Sequence, residues 1–473
     1  MTIRGFPRGF RTNQFAARGV VLVRSVTGIL LLAALPLRAQ TNFYTITTNG
    51  PASNRVNLVM LAEGYRSNQY TQFLTDATKA AAILMTNAPY AEYRSYFNTF
   101  AIAVPSVEAG SDHPSYPSFK NTYFNSTFGP SDYYLTIPAG STGQGKVNAL
   151  LNTYLPEADL VVMLVNDPLA GGSDGGGQTA LVSLGAINSG LFEILTHETG
   201  HVLAGLGDEY TTANPGYPDT EEPNTTRETN RSAIKWSAWI NTNTPVPTPP
   251  TNPDLVGLFE GAHYHTTGWY RPKLNCLMRN FGVGFCEVCQ EALVLAFYRQ
   301  VRPIENAIPT ATNLVVNSPD ALNFNLDVLQ PDGHALAVQW LTNGTPVPMA
   351  TNASLWMPPA ALGNGVHTVV VQVADLTSLV RTDPGDSLSQ TRSWTLTVNL
   401  PSLLLSAPRW LGSGGFAFRV TGIAPSGFAI LASTNLVDWQ SVATNTLVSG
   451  QYDYTNVNSL NVSREFFRAV TPP

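Results

Sequence analysis

The sequence is poor in charge, in cysteine and in long apolar runs. Charged residues make up 12% of 473, with a net charge of −6. That charge gives no hint of nucleic-acid binding, which usually shows a basic patch, and no nucleic-acid partner is expected. No stretch reaches the roughly 20 apolar residues that a membrane-spanning helix needs. The apolar share is nevertheless 44%, which excludes wholesale disorder and implies packed domains, roughly two to four at this length. The 38 glycines and 34 prolines point to β-rich and loop-rich structure.

One short apolar run, GILLLAALPL at 28–37, stands near the start. Arg4, Arg8, Arg11, Arg18 and Arg24 precede it, Arg38 and Ala39 follow, and no acid is present in this stretch. A basic leader, a short apolar core and a small residue at the exit describe a secretory signal peptide over 1–39. The mature chain is therefore expected to be secreted or held at the cell surface, without a transmembrane span, and to act as a monomer.

The three cysteines are Cys276, Cys286 and Cys289. An odd number in an exported chain suggests one disulfide plus a free thiol, or an intermolecular bond. Three cannot make a four-cysteine zinc site, and no neighbour obviously completes a set. The CxxC spacing lacks the βαβ context of redox chemistry. The preferred reading is a bridge from Cys276 to Cys286 or Cys289, pinning a loop to a helix.

Apolar runs at 56–62, 97–106 and 158–166 predict buried strands, and Phe73, Ala77, Ala80 and Leu84 stand at helical spacing within 69–87. Strands alternating with a helix imply an α/β layer. A glycine-rich stretch then leads into TALVSLG, ending at Gly185, which reads as a short edge strand. Residues 211–256 are a polar, Pro- and Asn-rich surface excursion, and 286–301 a closing helix. From about 306 the texture changes to alternating strands separated by turns, the pattern of an immunoglobulin-like sandwich with Trp340 in its core and no cysteine pair. A second short β module follows from 401. The expected organisation is multidomain: leader 1–39, an α/β (α+β) domain 40–305, an immunoglobulin-like sandwich 306–400 and a β module 401–473.

The chemistry concentrates in THETGHVLAGLGDEY at 196–210. Residues four apart share a helix face, so His197 and His201 aim at one point. The apolar flanks LFEIL and VLAGL bury this helix, where unpaired His and Glu are costly. It is expected to start near Gly190 and stop at Gly205 or Gly207. Neutral imidazoles bind zinc, and a catalytic zinc keeps one position open for water. Glu198, beside the metal, then serves as the base that takes a proton from that water and returns it to the leaving amine. The third ligand must come from beyond the glycine turn. Asp208 is preferred and Glu209 is the alternative, the other of the two being free to hold a histidine N–H. An oxyanion donor is sought among Tyr264, Tyr270, His263 and His265, with Tyr270 ranked first. For His263 and His265 an exposed loop position is at least as good a reading.

HETGHVLAGLGDEY resembles the motif of the IgA-peptidase family of metallopeptidases, grouped with the metzincins. VNLVMLAEGY at 56–65, YFNTFAIAVPSVEAGSD at 96–112, YRPKLNCLMRN at 270–280 and FCEVCQEA at 285–292 extend the resemblance over most of 50–300. It implies a metzincin-like α/β metallopeptidase, with a twisted sheet above the active-site helix and Met278 as the Met-turn beneath the metal. Gly205 and Asp208 each lie one residue beyond the familiar metzincin spacing from His201, so Asp208 and Glu209 both remain candidates. Glu63 and Asp112 match the family pattern without an assigned role. The resemblance also implies that the edge of TALVSLG takes up an extended substrate peptide. The expected function is a secreted zinc endopeptidase acting on protein or peptide, including glycoprotein. A non-catalytic adhesin or glycan-binding protein is the alternative suggested by the β modules.

Overall fold

The computed structural model describes residues 40–473 except 319, 401–402, 413, 423–426, 448–449, 458–462 and 472–473. The expected leader at 1–39 lies outside the described residues.

The first part is built on a six-stranded sheet. Its strands are β1 (Asn42–Thr47), β2 (Val56–Glu63), β3 (Phe97–Ala103), β6 (Leu160–Val165), β7 (Gly172–Ser173) and β8 (Ala180–Ser183), in the order β1-β3-β2-β6-β8-β7. A two-stranded ribbon of β4 (Thr127–Phe128) and β5 (Leu135–Thr136) lies beside it. The four middle strands run parallel, whereas β1 and β7 at the two edges are antiparallel to their neighbours. Every residue of β2, β3 and β6 is buried, as required of strands covered on both faces. Alternation along β2 divides the core. Leu58, Met60 and Ala62 join one cluster with the helices α1 (Tyr70–Leu84), α4 (Glu193–Ala204) and α5 (Glu287–Gln300). Val59 and Leu61 join a second cluster with Val147 and Leu150 of α2 (Gln144–Tyr154). Glu63, fully buried, accepts hydrogen bonds from Thr122 Oγ1 and the amides of Phe124 and Ser126. It braces a loop.

TALVSLG is not a free edge. Its strand portion, β8, is internal, with β7 from the glycine-rich lead-in added outside it and Tyr134 bridging to Gly172 beyond that. Its second half begins a separate short helix, α3 (Leu184–Ser189), capped by the Ser183 side chain and ended by left-handed Gly190. The motif helix α4 therefore starts at Glu193, not Gly190. The excursion at 211–256 has little regular structure but is not merely surface: Ile234, Trp236, Trp239, Ile240 and Val256 anchor it in the main core.

Beyond α5, two sheets pack face to face around Phe324, Trp340 and Trp394. One contains β11 (Ile304–Ile308), β13 (Leu322–Val328) and β16 (Ser354–Met357). The other contains β12 (Asn313–Val316), β14 (Ala337–Thr342), β15 (Thr345–Pro346), β17 (Gly365–Ala374) and β18 (Ser389–Val398). The sandwich is fastened to the first part by buried Asp375, which accepts hydrogen bonds from Tyr93 and Tyr298, both at 2.7 Å. Two three-stranded sheets with Phe418, Val420, Phe428 and Ile430 between them form the last part.

Candidate active site

Helix α4 packs on β6, β7 and β8 and against α5, with His197 and His201 on its buried side. Gly200 between them permits close packing: a methyl group there would stand 3.0 Å from the Phe285 ring and 3.1 Å from Leu206. The helix ends at Gly205, whose φ of +64° turns the chain back. Gly207 follows, gripped on both sides by the fully buried Asn224 amide, which accepts from Gly207 N at 2.7 Å and donates to Gly207 O at 2.8 Å. This clasp presents Asp208 to the histidines.

His197 Nε2 and His201 Nε2 are 3.0 Å apart, and Asp208 Oδ1 lies 3.1 Å from the first and 3.5 Å from the second. The other ring nitrogens are committed. His197 Nδ1 donates to Leu277 O at 3.0 Å and His201 Nδ1 to Leu206 O at 2.5 Å, and a carbonyl can only accept. In the neutral rings both Nε2 atoms then carry lone pairs that face each other and a carboxylate. Protonating both rings would instead set two cations face to face. A metal cation that takes up the two Nε2 lone pairs and one Asp208 oxygen resolves the arrangement with both rings neutral. Ligand atoms on tetrahedral zinc stand about 3.3 Å apart, and the observed triangle matches that spacing. The donor set therefore fits the metal that the sequence reading expected.

Glu198 keeps some contact with solvent but is enclosed on most sides. Burial pushes its pKa up to about 8, with the His197 charge pulling it down and Asp208 and Asp174 adding to the rise. Gly172 lies close by: a methyl group there would stand 2.5 Å from Ile194 Cγ2 and 2.9 Å from Leu181 O, and in ordinary contact, 3.4 Å, with Glu198 Oε1. The remaining oxygen of Asp208 accepts a hydrogen bond from the Tyr264 hydroxyl. Burial and the adjacent Asp208 charge raise the pKa of that hydroxyl, keeping it protonated.

Tyr264 reaches the site through a hairpin of β9 (Phe259–Ala262) and β10 (His265–Arg271). Its two turn residues, His263 and Tyr264, have φ of +53° and +59°, a two-residue turn that ordinarily takes Asn or Gly. The tip is docked by backbone bonds from His263 N to Asp208 O and from Tyr264 N to Tyr210 O, so this strain is held by the loop that carries Asp208.

His197, Glu198, His201 and Asp208 come together. Glu209 does not join them: its fully buried carboxylate turns to the opposite side, beside Cys276, Cys286 and Cys289. Tyr270, ranked first as oxyanion donor, lies in β10, pairs through its backbone with Thr226 and packs on the main core. The hydroxyl that reaches the cluster belongs to Tyr264. His263 is no exposed loop residue. It is buried, stacked on Trp269 at 3.7 Å, and 3.0 Å from Glu222. Met278 is fully buried, its carbonyl accepting from Glu209 N at 3.0 Å. The expected disulfide is absent. Cys276–Cys289 and Cys286–Cys289 sulfurs are each 3.6 Å apart, far beyond the roughly 2.05 Å of a bond, and all three are free thiols. Asn224 was missed, having no motif of its own.

A helix beneath a mixed sheet, bearing two converging histidines and an adjacent glutamate, has the outline of a peptidase. Comparison with known families makes that class specific: the family model for IgA Peptidase M64 matches residues 44–255 and 250–297. The match covers more than half of the chain, and the chain belongs to that metallopeptidase family, whose activity implies a metal and a protein substrate. No curated protein matches the chain. Among solved structures, the fibronectin(III)-like modules of Clostridium thermocellum CbhA match at 11% identity with a TM-score of 0.16, covering 32% of this chain and 77% of that one. A chaperone–tip adhesin complex of CFA/I fimbriae matches at 9% identity with a TM-score of 0.14, covering 34% and 94%. At these scores neither carries an argument about function. No helix among the described residues is long and apolar enough to cross a membrane.

Proposed function

We propose that this peptidase is an exported, monomeric zinc endopeptidase whose ion is held by His197, His201 and Asp208. The observation that carries the reading is the opposition of two imidazole nitrogens 3.0 Å apart across one carboxylate oxygen. When bound, zinc supplies Lewis acidity toward a scissile carbonyl and lowers the pKa of water at its open position toward about 7. The Glu198 carboxylate takes the proton of the attacking water and later delivers it to the departing amine. Leu277 O and Leu206 O hold the imidazoles in the tautomer that leaves Nε2 free. Tyr264 Oη fixes the free oxygen of Asp208 and thereby the carboxylate's approach.

Export is supported by the leader read at 1–39. Division into a metzincin-like domain to about residue 305, an immunoglobulin-like sandwich to about 400 and a final β module is supported by the largely distinct hydrophobic clusters of these parts, with Leu329 and Leu388 of the sandwich packing into the first. The buried Asp375 anchor favours the sandwich as a fixed wall of the enzyme over a free glycan-binding module, with unmodified and glycosylated proteins both fitting as substrates. The test is Glu198→Gln. The variant should keep its metal and lose peptide hydrolysis by about 10²–10⁴-fold. Retained hydrolysis would eliminate the assignment.

A further inference from the structure

The three thiols and Glu209 converge in a place that the catalytic reading does not use. Cys286 is the N-cap residue of α5, Cys289 lies in its first turn, and Cys276 comes from the segment two residues before Met278. Glu209 enters from the loop after α4. One ligand atom from each lies within 4.8 Å of every other. The exposures are 0% for Cys276, 3% for Cys286, 0% for Cys289 and 0% for Glu209.

Three observations point to a ligand. Glu209 Oε1 accepts from Asn224 at 3.0 Å, but Oε2 is buried with no hydrogen-bond partner, an arrangement that is costly for an isolated carboxylate. The Cys276–Cys289 and Cys286–Cys289 sulfur separations of 3.6 Å are close to the roughly 3.8 Å edge that zinc–sulfur bonds of about 2.3 Å give to a tetrahedron. Cys286 N also donates to Cys276 Sγ at 3.3 Å, the kind of amide contact that stabilises a thiolate. Arg271 and Arg279 act on Glu209 from nearby, offsetting the excess negative charge of such a set.

We propose that Cys276, Cys286, Cys289 and Glu209 form a second metal site, closed and structural, for a tetrahedral borderline-soft divalent ion, zinc. Soft sulfur donors with one carboxylate suit zinc over the hard cations. The two ligands at the start of α5 have the Cys-x2-Cys spacing common in structural zinc sites. The site ties three segments together. Asp208 is bonded in sequence to Glu209. Leu277, which orients His197, is bonded to Cys276. Met278 O receives Glu209 N. An ion there holds the catalytic triangle from behind.

The experiment uses the full exported chain without added metal. Elemental analysis should find two equivalents of zinc, one of which is released when a mercurial reagent titrates the thiols. A His197→Ala/His201→Ala variant should retain that releasable equivalent, which separates failure of this proposal from failure of the catalytic one. Protein produced with cobalt in place of zinc should show thiolate-to-cobalt charge-transfer absorption. The band should persist in the double histidine variant and be lost in Cys286→Ser. The unmutated protein alone decides the matter should that variant not fold. A wild-type protein without the charge-transfer band, or with a disulfide among these cysteines on mass mapping, overturns the proposal.

Discussion

Asp208 and Glu209 are adjacent, and their carboxylates serve opposite faces of the same loop. Asp208 completes a triangle with two histidines, beside a glutamate that keeps contact with water and a tyrosine that is only partly covered. Glu209 completes a tetrad with three thiols that solvent does not reach. Both clusters gather side chains that cannot be buried cheaply without a cation. The difference lies in access and donor type. A nitrogen–oxygen set with one open side suits hydrolysis, whereas a sulfur-rich set closed on all sides suits architecture.

The comparison can be broken most severely by chelation. Dialysis against a chelator should strip the open cluster first and abolish peptide hydrolysis, and one equivalent of zinc should restore it, as followed by turnover and elemental analysis together. Simultaneous loss of both ions at the onset of inactivation would remove the contrast. Next in size is Glu198→Gln, expected to lower kcat by about 10²–10⁴-fold with little change in thermal midpoint, because only proton transfer is lost. Tyr264→Phe removes the hydroxyl on Asp208 without altering the hairpin. Support of this kind to a ligand is worth about 10–100-fold in activity or metal affinity, measurable as kcat/KM and as the zinc dissociation constant. The smallest effect on activity should come from Asn224→Ala, which sits between the clusters. It strips partners from Gly207 and Glu209 and should cost about 2–3 kcal/mol of stability in denaturant unfolding, with activity reduced less than tenfold.

Much of the peptidase core was legible in the sequence. Runs at 56–62, 97–106 and 158–166 became β2, β3 and β6, since strands buried on both faces must be continuously apolar. The sandwich strands and buried Trp340 followed from period-two alternation. The short element after the glycines was less legible. ALVS and LGAINS carry similar apolar content, and the Ser183 cap that starts α3 shows itself only once the chain turns. Tyr264 ranked behind Tyr270 because both precede Met278 by a short distance, and only the turn at 263–264 aims one of them at Asp208. The thiol tetrad escaped because a count of three cysteines looks incomplete until a carboxylate 67 residues before the first of them is brought alongside.

By itself, the sequence determined what depends on local periodicity: a helix repeat of 3.6 residues places His197 and His201 on one face and Glu198 beside them. Which carboxylate of Asp208–Glu209 faces the histidines was decided only by the tertiary structure. Successive side chains on an extended backbone point to opposite sides, so the choice rests on how Gly205, the Asn224 clasp and the docked hairpin orient that one segment.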